Sequence, residues 1–385
     1  MSIDTFLFNW SKVSGDYLQT VGESYIAFSD FMALNPFFNS IAQDYKKYGR
    51  FIIEKGKPLE TPTWFTPNQV VYEGHKVALR RFNPEKRGNP ILFVAPEAGH
   101  NSLIVDYGPD QSLAQCALRY FSGDVYAVDK LPAGPEHTAY TIDDSIQSLK
   151  ACIEAIGEPV HLVGLCQGGW QSAAYSALFP ADVKTLTLAA APIDFHAGDA
   201  LITQWACSLP MSYYQQMVQM GNGNMPGCLI VQGFMLMNPY DRFVGDNVDL
   251  LSNIADPVFI DRHRRFAQWY YYTQAVPGAM YLQIVDNLFR QNRLIKGELE
   301  IFNQHVDLGR ITQPLYLVAG QKDDITPPPQ LFAAEQQVQS EYVQKQIVSA
   351  GHVGVFMGKQ VIRDYWSNHF PKLKATKSRK KNKLS

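Results

Sequence analysis

The chain has 385 residues, with 34 Lys and Arg against 36 Asp and Glu and a formal net charge of -2. That balance gives no general preference for polyanions such as nucleic acid, and 46% hydrophobic residues are enough to fill a sizeable core. No apolar run approaches the roughly 20 residues of a membrane-spanning helix, no secretory leader is evident, and five cysteines in such a chain point to a reducing cytoplasm rather than a disulfide framework.

Residues 1–55 are helical in pattern and aromatic, with Phe6, Phe8, Trp10, Tyr17, Tyr25, Phe28, Phe31, Phe37 and Phe38 at irregular helical spacing. They are expected to pack on the core, with contact to a partner as the functional alternative. Val70–Tyr72 and Lys76–Phe82 read as opening antiparallel strands that turn near Glu73 and Gly74. Ile91–Ala95 is an apolar strand followed by the loop Pro96–His100.

Pro159–Val163 predicts a buried strand, and Gly169–Phe179 predicts a helix ended by Pro180. Between them lies Gly164-Leu165-Cys166-Gln167-Gly168, a Gly-x-nucleophile-x-Gly elbow with cysteine at the nucleophile position. Glycines let such a turn close tightly, lift the thiol above the sheet and aim backbone N–H groups at it. Cysteines are more often inert and buried, and Cys116, Cys152, Cys207 and Cys228 fit that role. The backbone N–H of Gln167 is one expected oxyanion donor, and that of Glu97 or Ala98 in the loop after the earlier strand is the second.

An elbow nucleophile needs an acid and then a histidine further along the chain. The apolar run 313–319 predicts a core strand leading into Gly320-Gln321-Lys322-Asp323-Asp324-Ile325-Thr326-Pro327. Spacing to the following apolar residue and proline favours Asp323 as the acid, with the adjacent Asp324 as the alternative. Gln346–Val348 leads into Ser349-Ala350-Gly351-His352-Val353-Gly354, which puts His352 at the same sheet edge as the expected base. His100 and His137 precede the acid and read as structural.

The stretch 198–305 is too long for a loop and reads as a helical cap over the site, rich in aromatic residues. The last fifteen residues carry seven Lys and Arg and no acid, the pattern of a solvated tail, with docking to an anionic surface or nucleic acid as the alternative. The expected organisation is a helical segment 1–55, a core 56–197, a cap 198–305, a second core part 306–370 and a basic tail 371–385. The fold class is an α/β-hydrolase: a mostly parallel central sheet, helices on both faces and a helical cap insertion. No Cys-x-x-Cys pair, His-Glu-x-x-His helix or phosphate-binding glycine loop marks a metal or cofactor site, so none is expected.

Several blocks together resemble the polyhydroxyalkanoate synthase and intracellular polyhydroxyalkanoate depolymerase superfamily. They are Gly164–Trp170 (GLCQGGW), Asn292–Gly297, Val306–Ile311, the acid loop Asp323–Pro327 and the histidine loop Ser349–His352. The resemblance implies a Cys-Asp-His triad of Cys166, Asp323 and His352 acting on hydroxyacyl esters or thioesters through an acyl-cysteine. It implies hydroxyacyl-coenzyme A or a polyester as substrate, a storage-granule surface and a homo-oligomer as further partners. Polymerisation of 3-hydroxyacyl-coenzyme A is the first reading. Polyester depolymerisation or a related ester or thioester hydrolysis is the alternative, and a non-catalytic granule-binding protein is a third.

Overall fold

The computed structural model describes residues 3–373; the basic run Lys374–Lys383 lies outside them. Eight strands form one sheet in the order β1-β2-β4-β3-β5-β6-β7-β8: β1 Gln69–Glu73, β2 Val77–Arg81, β3 Ile91–Val94, β4 Val125–Lys130, β5 Val160–Leu165, β6 Val183–Ala189, β7 Leu315–Gly320 and β8 Val343–Val348. The strands from β3 onward pair in parallel, while β2 is antiparallel to both β1 and β4. This is the α/β-hydrolase architecture expected above.

β3, β4, β5 and β7 are buried at every residue, as mostly apolar strands covered on both faces should be, with Asp129, Lys130 and His161 as buried polar exceptions. Leu92, Leu162 and Leu317 enter one apolar core, and their chain neighbours Phe93, Val163 and Val318 enter the other. Side-chain alternation along each strand therefore builds two cores from one sheet. Helices α3 Leu113–Tyr120, α4 Ile142–Ile156 and α5 Gln167–Leu178 link the central strands. The α4 start is set by a capping box in which Thr141 N–H donates to Asp144 at 2.8 Å. It stops at Gly157, whose φ of 83° suits glycine.

Between β6 and β7 the chain runs through α6 Leu201–Ser208, α7 Met211–Met220, α8 Gly227–Met237, α9 Asp246–Ser252, α10 Pro257–Tyr271 and α11 Gly278–Gln283. The stretch expected to be helical also contains short antiparallel pairings, Asn224–Met225 with Val276–Pro277 and Glu300–Ile301 with Gln304–His305. Asn224 pins the first of these: its amide donates to the Gly134 carbonyl at 2.7 Å and its oxygen accepts from Gly278 N–H at 3.3 Å.

At the N-terminus α1 Ile3–Met32 and α2 Asn39–Gly56 form a hairpin. Its buried positions include Gly15, Ala42, Gly49 and Gly56, which let the helices approach closely. The aromatic residues expected to pack on the core instead face outward: Tyr17, Phe31 and Phe37 are 71%, 67% and 84% exposed. Phe6, Phe8 and Trp10 lie outside the side chains described. The hairpin is tied to the rest of the fold by a two-pronged ion pair in which Arg264 on α10 donates to Glu54 at 2.9 and 2.8 Å. At the other end, packing continues past residue 370: Phe370–Leu373 form a 3₁₀ turn with Phe370 and Leu373 buried, so the start of the expected tail belongs to the core. Among the described residues no helix is long and apolar enough to cross a membrane.

Candidate active site

Cys166 sits between the end of β5 and the start of α5 with φ 50° and ψ -121°, a strained conformation for any residue with a Cβ. The chain can bend there because of its small neighbours. A Cβ on Gly168 would lie 2.1 Å from the Val94 carbonyl oxygen, and one on Gly169 would lie 2.1 Å from the Ala191 Cβ. Only glycine lets α5 begin this close to β3 and β6. The bend is held by Cys166 N–H donating to the Ala189 carbonyl at 2.9 Å and Gly169 N–H donating to the Cys166 carbonyl at 2.8 Å.

Asp323 and His352 stand just beyond β7 and β8, at the sheet edge where the elbow opens. His352 Nδ1 donates to both Asp323 oxygens, at 3.0 and 2.9 Å. Asp323 Oδ1 also accepts from the N–H groups of Ile325 and Thr326, at 3.1 and 2.8 Å. Asp324 is exposed and turned away. The Cys166 side chain lies close enough to act on the imidazole, and with Nδ1 committed to Asp323, Nε2 is the nitrogen available for the thiol. Cys166, Asp323 and His352 are all at least nine-tenths buried. Burial opposes the imidazolium, but Asp323 and Cys166 favour it more strongly, and His352 is held well above the ordinary histidine pKa.

As the first residue of α5, Gln167 has an N–H without an intrahelical acceptor. Its side-chain oxygen accepts from the indole N–H of the fully buried Trp170. Ala98 and Gln167 both border a cavity of about 600 Å³, whose other walls come from the insertion: Trp205, Tyr214, Met217, Phe234, Tyr281 and Phe289. Its lining is overwhelmingly apolar.

Glu97 borders the same cavity, but its carboxylate turns inward. It pairs with Lys76 at 2.7 Å and lies 3.9 Å from Lys130, with all three side chains at most 4% exposed. Burial raises the Glu97 pKa, but the two lysines outweigh it and hold the carboxyl below the usual range. Burial lowers Lys130 to about 8 against the pull of Glu97. Neither lysine was identified from the sequence as part of the site, since residues 76, 97 and 130 are far apart and follow no motif.

His100 and His137 are each engaged by backbone groups. His100 bonds the Tyr270 carbonyl at 3.1 Å and stacks on Trp269 at 4.7 Å; His137 accepts from Gly134 N–H at 2.9 Å and bonds the His75 carbonyl at 3.0 Å. All five cysteines are free. Among the described residues no three His, Cys, Asp or Glu side chains converge as metal ligands.

Comparison with known proteins bears out the resemblance. The chain is 29% identical over 310 residues to the poly(3-hydroxyalkanoate) polymerase subunit PhaC of Haloferax mediterranei, covering 78% of this chain and 62% of that protein. It is 27% identical over 318 residues to the subunit of the same name from Haloarcula marismortui, covering 78% and 66%. The chain thus spans a little under two thirds of the length of either relative. A carboxylesterase structure from Nitrososphaera gargenis matches with a TM-score of 0.50 at 16% identity, covering 80% of this chain and 98% of that one, and shows the shared fold. A family model described as "Protein of unknown function (DUF3141)" matches residues 39–375. With most of its length matched by that model, the chain belongs to the DUF3141 family, and it is similar to the polyhydroxyalkanoate polymerases in sequence and to the α/β-hydrolases in fold.

Proposed function

We propose that this protein transfers hydroxyacyl groups through a covalent acyl-Cys166 intermediate, polymerising 3-hydroxyacyl-coenzyme A into a polyester. The observation that carries this reading is the His352 ring, bonded through Nδ1 to the Asp323 carboxylate and acted on by the nearby Cys166 side chain at the elbow. The similarity to proteins named as poly(3-hydroxyalkanoate) polymerase subunits supports the choice of substrate.

In the first half-reaction His352 takes the thiol proton and Cys166 Sγ attacks the acyl carbonyl carbon. Asp323 holds the ring tautomer and favours the imidazolium. The oxygen that becomes anionic is met by the N–H of Gln167 and that of Ala98 or Glu97. The bond from carbonyl carbon to the coenzyme A sulfur breaks, His352 returns its proton to that sulfur, and acyl-Cys166 remains. In the second half-reaction His352 removes the proton of a hydroxyacyl chain's hydroxyl, whose oxygen attacks the acyl carbon. An ester forms, the Sγ–C bond breaks and the proton returns to Cys166.

Water would divert the intermediate to hydrolysis. The apolar cavity beside Gln167 supports transfer to a hydroxyl carried by an apolar chain, because such a chain fills the space that water would otherwise enter. Incubation of the purified protein with 3-hydroxybutyryl-coenzyme A, and separately with amorphous poly(3-hydroxybutyrate), tests the proposal. Polymer growth with release of free thiol, both lost in Cys166→Ala, is the expected result. Monomer release from polymer without growth would assign the protein to hydrolysis, and full activity of Cys166→Ala would remove the covalent mechanism.

A further inference from the structure

Lys130 is the last residue of β4. Its N–H donates to Ser102 Oγ at 2.8 Å, and its carbonyl accepts from the Gln274 amide at 3.1 Å. Its ammonium donates to the Gln171 amide oxygen and lies 3.9 Å from Glu97. Gln274 in turn donates its backbone N–H to the Gly99 carbonyl at 2.9 Å. Glu97, Gly99 and Ser102 are thus held directly by Lys130 or through the residue bonded to it. Gln171 is one helical turn beyond Gln167 on α5.

We propose that Lys130 is a positioning residue: the buried Glu97–Lys130–Gln171 strut fixes the spacing between the oxyanion donor in the loop after β3 and the donor at the start of α5. The proposal rests on the acyl-transfer reading given above. Packing alone does not account for the strut. Burying each ion costs several kcal/mol, and Lys76 already neutralises Glu97 at 2.7 Å, so the second buried lysine adds a charge that the ion pair does not need. What it adds is a connection. Among the described residues, no hydrogen bond or ion pair other than those of Lys130 links the Glu97 side chain to α5. An oxyanion site works only when both donors are fixed around the position that the charged oxygen will occupy, and errors near 1 Å cost about 100-fold in rate.

The test compares Lys130→Met and Gln171→Leu with the unsubstituted protein. Gln171→Leu cuts the strut at its helix end without removing a charge, so it serves even if Lys130→Met fails to fold. Three quantities are measured: turnover of 3-hydroxybutyryl-coenzyme A, alkylation of Cys166 by iodoacetamide, and hydrogen exchange of the amides of residues 97–102. Alkylation forms no oxyanion. The expected result is a kcat reduced by about 100-fold with KM unchanged within about twofold, alkylation preserved and exchange accelerated. Unchanged kcat, or alkylation falling in parallel with kcat, overturns the proposal. Unchanged exchange also overturns it, and this measurement needs no turnover, so failure of the strut is distinguishable from failure of the acyl-transfer reading.

Discussion

His352 Nδ1 bonds both carboxylate oxygens of Asp323, at 2.9 and 3.0 Å, while Asp324, the next residue, faces solvent. Two chemically identical side chains are thereby given different surroundings by one step of backbone. Asp323→Asn is expected to lower kcat by on the order of 10⁴-fold, because an amide no longer fixes the imidazole tautomer. Asp324→Asn is expected to stay within about twofold of the unsubstituted protein. Steady-state turnover of 3-hydroxybutyryl-coenzyme A measures both, and equal losses in the two variants would contradict the assignment.

The bend at Cys166 depends on a close backbone approach. Gly168→Ala places a methyl group 2.1 Å from the Val94 carbonyl oxygen, an overlap that only movement of β3 or α5 can relieve. A loss of about 1–3 kcal/mol is expected from chemical denaturation. An unchanged denaturation midpoint would show that α5 has room to move.

Gly233 on α8 borders the apolar cavity, and a Cβ added there meets nothing within 4 Å. Gly233→Leu is therefore expected to fold normally and to gain about 1 kcal/mol from helix propensity. Its side chain would occupy part of the cavity. Substrates with long acyl chains should lose kcat/KM by at least about tenfold while 3-hydroxybutyryl-coenzyme A is little affected. Loss for both substrates alike would place the acyl chain elsewhere.

Acid sensitivity follows from two buried histidines, His161 and His369, and the partly buried His100. Burial lowers His100 and His161 to about 4 and His369 to about 3, against about 6.5 in an unfolded chain. Below pH 6.5 the unfolded chain binds protons that these folded rings refuse. Their contribution to stability is therefore present above pH 6.5 and is lost as pH falls toward 4 and then 3. His352 has the opposite sign: its raised pKa contributes stability fully below pH 6.5, lost as pH rises through the folded value. NMR titration should find three imidazoles still neutral at pH 5. Any of the three protonating near pH 6.5 would contradict its shielding from water.

The parts of the site legible in the sequence are those written in local spacing. The elbow glycines, the apolar strand runs before Cys166 and Asp323, and the order of nucleophile, acid and histidine all depend on residues near one another in the chain. The eight-stranded sheet repeats those local patterns. The Lys76–Glu97–Lys130 cluster was not legible, because three strands must assemble before the charges meet. The hairpin misled for a related reason. Tyr17, Phe31 and Phe37 look like core residues by type, yet close contact between two helices is made by their small residues, which leaves the large rings outside.

A chamber of about 600 Å³ has the dimensions of a site for a single small ligand, whereas a polyester gains length without limit. Under the proposed polymerisation, a growing strand would have to emerge from the protein while its reacting end stays at the thiol. Product length would then be decided by a race between addition of the next unit and escape of the strand, and the size of the room where the bonds are made would set no upper bound.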